Sequence, residues 1–235
     1  MKLGPEGFDG IAIIGSAPSS TLLAPFNDLS WKIWACSPGN QGGVLPRVDA
    51  WFEIHKNYHW PEYRHYGEPY INWLKTLAIP VYMQDTFYLP NAKILPKDEL
   101  IAEFGKDFFT SSFAWMMAFA IREKASEIAL YGIDMASRDE YILQRPGFYF
   151  FKWVATQRGI KVSAPNESDI MQSPGLYGYS EATRRGRKIL ARKAEIKGRL
   201  DAIRAERAKA EHSQTYLEGA LEDLDYFESI WIGEE

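Results

Sequence analysis

Short apolar runs that stop abruptly at glycine, serine or proline dominate the chain up to Tyr179. Ile11-Ala12-Ile13-Ile14 is continuous rather than alternating, as in a strand buried on both faces, and it ends in Gly15-Ser16-Ala17-Pro18-Ser19-Ser20. The same pattern predicts strands at Trp31–Cys36, broken by Ser37-Pro38-Gly39-Asn40, and at Ala50–Ile54. A further strand at Pro80–Met83 is short and opens on proline, which suggests an edge position. Thr110-Ser111-Ser112 offers N-cap hydroxyls to a helix that runs to Ile121 and is apolar nearly all round, so it is predicted to be buried. Glu127–Tyr131 reads as a strand, Gly147–Arg158 as a helix stopped by Gly159, and Ile160–Ser163 as the last strand. Strand alternating with helix predicts an α/β fold, a Rossmann-like doubly wound and mostly parallel sheet, over residues 1–180. Residues 166–179, rich in Ser, Pro, Gly and Tyr, read as a loop folding over the sheet's end.

Residues 181–235 have a different texture. Proline disappears, and Ile189, Ile196, Leu200, Ile203, Ala210, Leu217, Leu221 and Leu224 recur in steps of seven, four and three. That spacing predicts a helical tail, either one long coiled-coil-like helix or a helical hairpin. Its first half is basic (Arg184, Arg185, Arg187, Lys188, Arg192, Lys193) and its last part acidic (Glu218, Glu222, Asp223, Asp225, Glu228). This order opposes the helix dipole, and pairing of the halves, within one chain or between antiparallel chains, relieves it. An unbroken tail of about 50 residues reaches roughly 75 Å at 1.5 Å per residue. Self-association into a homo-oligomer is therefore its expected role, ahead of a basic stripe on nucleic acid, since no stacking aromatics accompany the early arginines.

Composition narrows the class. With 46% hydrophobic and 25% charged residues the chain is globular rather than disordered. A net charge of −4 gives no global field for nucleic acid or an anionic membrane. Cys36 is the only cysteine, which rules out an intramolecular disulfide and fits a reducing compartment. With no signal-like N-terminus and no apolar run long enough for a membrane span, a cytoplasmic location is expected.

Candidate chemistry sits at strand ends, because in open α/β sheets ligands bind beyond the carboxyl ends, where helix N-termini favour anions. Gly15, Ser16, Pro18, Ser19 and Ser20 form a turn with hydroxyls and backbone donors suited to phosphate, although it is neither a GxGxxG nor a Walker A loop and no flavin or nicotinamide motif is present. Thr110, Ser111 and Ser112 make a second hydroxyl cluster at a helix start. Asn40 follows the second strand and offers its amide to a base or ribose, while Gly132 and Asp134 follow the strand at 127–131. Asp49, Glu53 and His55 bracket the third strand; Asp49 and Asp134 are candidate ligands for Mg²⁺, and His55 is a candidate acid or base. Tyr141, Gln144 and Arg145 lie on the following segment, where Arg145 has the geometry to clamp a phosphate and solvent exposure is the plainer alternative.

At these positions the chain resembles a known group. Ile11–Ser20, the Asn40 turn, Thr110–Ile121, Ile128–Met135 and Val162–Ile170 are similar, in order and spacing, to successive motifs of a Rossmann-like superfamily. That superfamily includes archaeal 6-hydroxymethylpterin diphosphokinase-like proteins, bacterial sialyltransferases that use CMP-sialic acid, and many proteins carried by bacteriophages. The resemblance covers roughly residues 9–179 and implies a nucleotide held by the Gly15–Ser20 loop, Asn40, the Thr110-Ser111-Ser112 helix start and Asp134, in a phage-encoded branch acting in the host cytoplasm. It departs at one point: sialyltransferases of the group carry a catalytic histidine downstream of the GID motif, whereas this chain has no histidine between His65 and His212. His55 or Tyr141 would have to substitute. The reading that follows is a nucleotide-dependent transferase, moving a glycosyl or pyrophosphoryl group from a nucleotide or nucleotide-sugar donor to a small acceptor, with His55, Asp134 or Tyr141 catalytic. The alternatives are an oligomer that captures a nucleotide without turnover and an assembly protein whose core is only structural.

Overall fold

A computed structural model of the chain describes residues 9–36, 45–55, 68–84, 89–136, 139–172, 175, 177–179 and 183–232. It divides into two units, Met1–Met171 and Gln172–Glu235. Asn40 lies outside the described residues.

The first unit is built on strands β1 (Gly10–Ile14), β2 (Trp31–Cys36), β3 (Ala50–Glu53), β4 (Val81–Met83), β5 (Ala92–Ile94), β6 (Glu127–Tyr131) and β7 (Lys161–Ser163). They form one sheet in the order β5-β4-β3-β2-β1-β6-β7, with every pairing parallel. The chain winds outward from β1 to β5 and then crosses to β6 on β1's other side, so the topological switch point lies between β1 and β6. The predicted α/β fold with a parallel sheet is the one observed.

Period-two alternation divides the apolar residues between two layers. Ile11, Ile13, Trp34 and Phe52 face a layer holding helices α2 (Lys97–Phe104), α3 (Ser112–Arg122) and α4 (Arg145–Gln157). Ala12, Ile14, Ile33 and Trp51 face the other, with Tyr70 and Leu74 of α1 (Glu68–Thr76). That double burial is why β1 reads as an unbroken apolar run. α3 buries Ala114 and Met116 to Ile121, and each large side chain so removed from water contributes about 1.5–3 kcal/mol.

Two features differ from expectation. β4 is internal rather than at the edge: Pro80 precedes the paired residues, its carbonyl accepts from Trp51 N at 2.9 Å, and β5 lies outside it. β5 itself has no apolar run to announce it, since Lys93 and Ile94 are exposed. In the second unit, residues Arg184–Trp231 form one uninterrupted helix, α5, so of the two tail geometries the hairpin is not adopted. Among the described residues no helix is long and apolar enough to cross a membrane.

The exits of β1 and β6 are locked together at the switch point. Gly15 N donates to Tyr131 O and Ala17 N to Gly132 O, both at 2.8 Å. Gly132 has φ +62°, and a Cβ there would lie 2.2 Å from Thr21 Oγ1 and 2.6 Å from Gly15 O. Gly132→Ala is therefore expected to cost about 2–4 kcal/mol of stability through strain and overlap together. Gly105→Ala, at φ +79° with nothing within 4 Å, should cost only about 1 kcal/mol. Urea unfolding of the two variants checks the difference.

Candidate functional site

Because all strands run the same way, the loops leaving β1, β3 and β4 open on one edge of the sheet. There they meet the N-terminus of α3 around a cavity of about 450 Å³. Ser16 follows β1, Cys36 ends β2, Ile54 and His55 follow β3, and Gln84 follows β4; Thr110, Ser111, Ser112, Phe113 and Trp115 come from the start of α3. Glu140 and Gln144 enter from a single π-helical turn, Glu140–Gln144, that leads into α4. Phe109 and Trp115, stacked with centroids 3.9 Å apart, add a flat apolar wall.

The N-terminus of α3 opens on the cavity. Ser111 caps the helix in extended conformation, its Oγ accepting from Ala114 N at 3.2 Å. The first amides of the helix point out of its end with the positive pole of the dipole. Gly147 of α4 keeps the approach to this cap close, since a Cβ there would lie 2.4 Å from Phe108 O and 2.9 Å from Thr110 Oγ1. Among the described residues lining the cavity there is no lysine or arginine; its polar lining consists of hydroxyls, the amides of Gln84 and Gln144, the Glu140 carboxylate and His55.

Across the cavity stands a carboxylate–histidine pair. Glu53 is completely buried at the end of β3, and its oxygens are met by donors from two directions. Oε2 accepts from the Tyr70 hydroxyl at 2.6 Å, which in turn accepts from Trp51 Nε1 at 2.9 Å. Oε1 accepts from His55 N at 3.0 Å and from His55 Nδ1 at 2.7 Å. This contact holds the imidazole by one nitrogen and lifts its pKa above the ordinary 6.5: the Glu53 hydrogen bond favours the charged ring, partly opposed by burial. With Nδ1 engaged by Glu53, the other ring nitrogen that can carry a proton is Nε2. Cys36 also lines the cavity, but burial and the nearby Glu53 charge push its thiol up to about 12, which removes it as a nucleophile.

The remaining candidates are distributed differently. Ser19 donates to Asp134 Oδ1 at 2.9 Å, Ser20 Oγ accepts from Gly132 N at 2.9 Å, and Asp134 Oδ1 also accepts from Asp169 N at 3.2 Å. Gly15, Ser19, Ser20, Gly132 and Asp134 thus stitch the β1 loop to the β6 exit, and none of them, nor Pro18, is among the described residues lining the cavity. Met135 beside them holds φ +45°, an uncommon conformation for a side chain of that size. Arg145 is neither exposed nor a phosphate clamp. It is 1% exposed, and its guanidinium donates to the carbonyls of Asp134, Met135, Asp169 and Ile170 and to the Tyr149 hydroxyl. Four of these hydrogen bonds tie residues 134–135 to 169–170, the fifth goes to Tyr149, and the Tyr141 ring centroid lies 5.2 Å from the guanidinium. Asp49 precedes β3 and therefore sits at the opposite edge of the sheet, where it accepts from Ile33 N at 2.7 Å and pairs with Arg47 at 3.3 Å. Asp49 and Asp134 cannot hold one Mg²⁺ between them, and among the described residues no three His, Cys, Asp or Glu side chains gather as a metal site.

Fold and site together define a Rossmann-like α/β protein with a polar cavity at the carboxyl edge of its sheet. No protein-family model matches the chain, and no curated protein matches it in sequence. Among solved structures it is similar to the sialyltransferase CstII from Campylobacter jejuni in complex with cytidine-5'-monophosphate, with 16% identity, 66% of this chain and 78% of that chain covered, and a TM-score of 0.44. It is also similar to the monofunctional α-2,3-sialyltransferase Cst-I from the same organism (12% identity, 85% and 98% covered, TM-score 0.47). Thiamine pyrophosphokinase from Bacillus subtilis matches at 14% identity, with 66% and 59% covered and a TM-score of 0.40. Likenesses this distant carry over no residue roles, which rest on the cavity itself.

Gln84, Phe109 and Glu140 carry no motif and were not candidates from the sequence. The Glu53–His55 pair had a signal: residues i and i+2 at a strand's end share one side. Glu53→Gln should return the His55 pKa toward 6.5, read by following the ring proton resonances with pH. By linkage, a raised histidine pKa stabilises the fold fully below pH 6.5 and loses that contribution as pH rises through the folded value. The stability difference between native chain and variant should therefore shrink above that value.

Proposed function

We propose that this chain is a nucleotide-dependent transferase in which His55 is the general base. The observation that carries this reading is that the Glu53-held imidazole and the amide-bearing end of α3 line the same cavity. A donor phosphate rests on the start of α3 among Thr110, Ser111 and Ser112, with Ser16 beside it, and a base or ring lies on the Phe109–Trp115 wall.

The transfer is then a displacement. An acceptor hydroxyl attacks the anomeric carbon or the phosphorus of the donated group, the bond to the nucleotide's phosphate oxygen breaks, and that oxygen leaves with the electron pair. The acceptor's proton passes to His55 Nε2, and the imidazolium so formed is stabilised by Glu53 through Nδ1. Helix amides and hydroxyls meet the charge growing on the leaving phosphate, which is the term that preorganised donors serve best.

Incubation with nucleotides, nucleotide sugars and hydroxyl acceptors, followed by product analysis, tests this directly. Turnover is expected, with kcat/KM rising with pH through a midpoint above 6.5 as His55 loses its proton. His55→Asn should lower kcat about 10²-fold or more while leaving donor binding within a few-fold. An unchanged rate in His55→Asn removes the base assignment. Ligand released intact by heat denaturation, with no turnover under any condition, favours nucleotide capture instead.

A further inference from the structure

α5 is one uninterrupted helix, and its apolar residues are exposed: Ile196 by 51%, Leu217 by 61%, Leu224 by 63%. Ile189, Ile196, Ile203, Leu217, Leu224 and Trp231, with Ala210 at the middle step, recur every seven residues and make one continuous stripe. Placed at heptad position d, they put Lys193, Leu200, Arg207, Gln214, Leu221 and Glu228 at position a, an alternate stripe that is apolar at Leu200 and Leu221. Because the chain does not fold back on itself within α5, whatever covers this seam comes from outside the helix.

Charge selects the partner and its direction. Residues 184–207 carry ten basic and three acidic side chains, and residues 208–231 one basic and six acidic. We infer that α5 pairs with α5 of a second copy of this chain as an antiparallel coiled coil.

The flanking positions exclude the parallel alternative. In a parallel pair each g residue faces the e residue five positions on in its partner. That sets Arg192 against Lys197, Arg199 against Arg204 and Glu206 against Glu211, all like charges and each occurring twice by symmetry. In an antiparallel pair e faces e. With Leu200 opposite Leu217 and Ile196 opposite Leu221 of the second copy, Lys197 meets Glu218 and Arg204 meets Glu211, all attractive. Arg192 and Arg199 then face Phe227 and Ala220, with no like charge opposite them. The same arrangement lays each helix's basic N-terminal half along its partner's acidic half, relieving a charge order that opposes the dipole.

The test is sedimentation equilibrium of the full chain, with helicity monitored by circular dichroism. The native chain should sediment as a dimer. Lys197→Glu together with Arg204→Glu should raise the dimer dissociation constant about tenfold or more, since four contacts turn repulsive. Mixing that variant one to one with Glu211→Lys/Glu218→Lys chains should restore association, because the opposite pairs are rebuilt in the mixed dimer. A native chain that stays monomeric, a first variant that dimerises as well as or better than native, or a mixture that fails to recover although both variants remain helical would each overturn the inference.

Discussion

Parallel strand direction is the constraint from which the site follows. β1 pairs in parallel with both β2 and β6, and the remaining strands continue the same sense outward. Every strand therefore ends at one edge, and the helices that return the chain to the other edge begin near these ends. No single loop makes the cavity; it exists because Ser16, His55 and Gln84 leave three different strands at the same edge. The lock between Gly15 and Gly132 closes the switch point beside it, and Arg145 ties the 134–135 and 169–170 backbones together behind that lock.

Burying Glu53 is the energetically demanding step. A carboxylate withdrawn from water must be surrounded by donors, and leaving one of its partners out costs several kcal/mol. Tyr70 comes from α1 on one side and His55 from the strand's own continuation on the other. The same hydrogen bonds that make burial tolerable orient the imidazole and raise its proton affinity. One set of contacts thus serves both burial and orientation: Glu53 at Nδ1 fixes the plane of the His55 ring.

Much of this was legible in the residues, and what was not has a physical cause. β1 and α3 were readable because burial on all sides demands an unbroken apolar run, and Ser111 marks the helix start by the chemistry of capping. β5 was invisible because one half-buried and two exposed residues become a strand only through β4 beside them. Arg145 misled because its acceptors are main-chain carbonyls, which have no side-chain signature. Asp49 misled because proximity in sequence to His55 says nothing about strand polarity: the length of β3 separates them. The tail's seven-residue step was plain, yet whether it folded back on itself depended on a turn that no residue between Arg184 and Trp231 supplies.

In the proposed mechanism the end of α3 and the Glu53-held His55 serve one ligand. A crystal structure of the protein with whatever nucleotide it retains on purification measures this most directly. A phosphate is expected within hydrogen-bonding distance of the first α3 amides and the Ser111 or Ser112 hydroxyl, with the group to be transferred beside His55 Nε2. A nucleotide bound elsewhere, at the Asp49 edge of the sheet or along α5, with this cavity filled only by water, would contradict it.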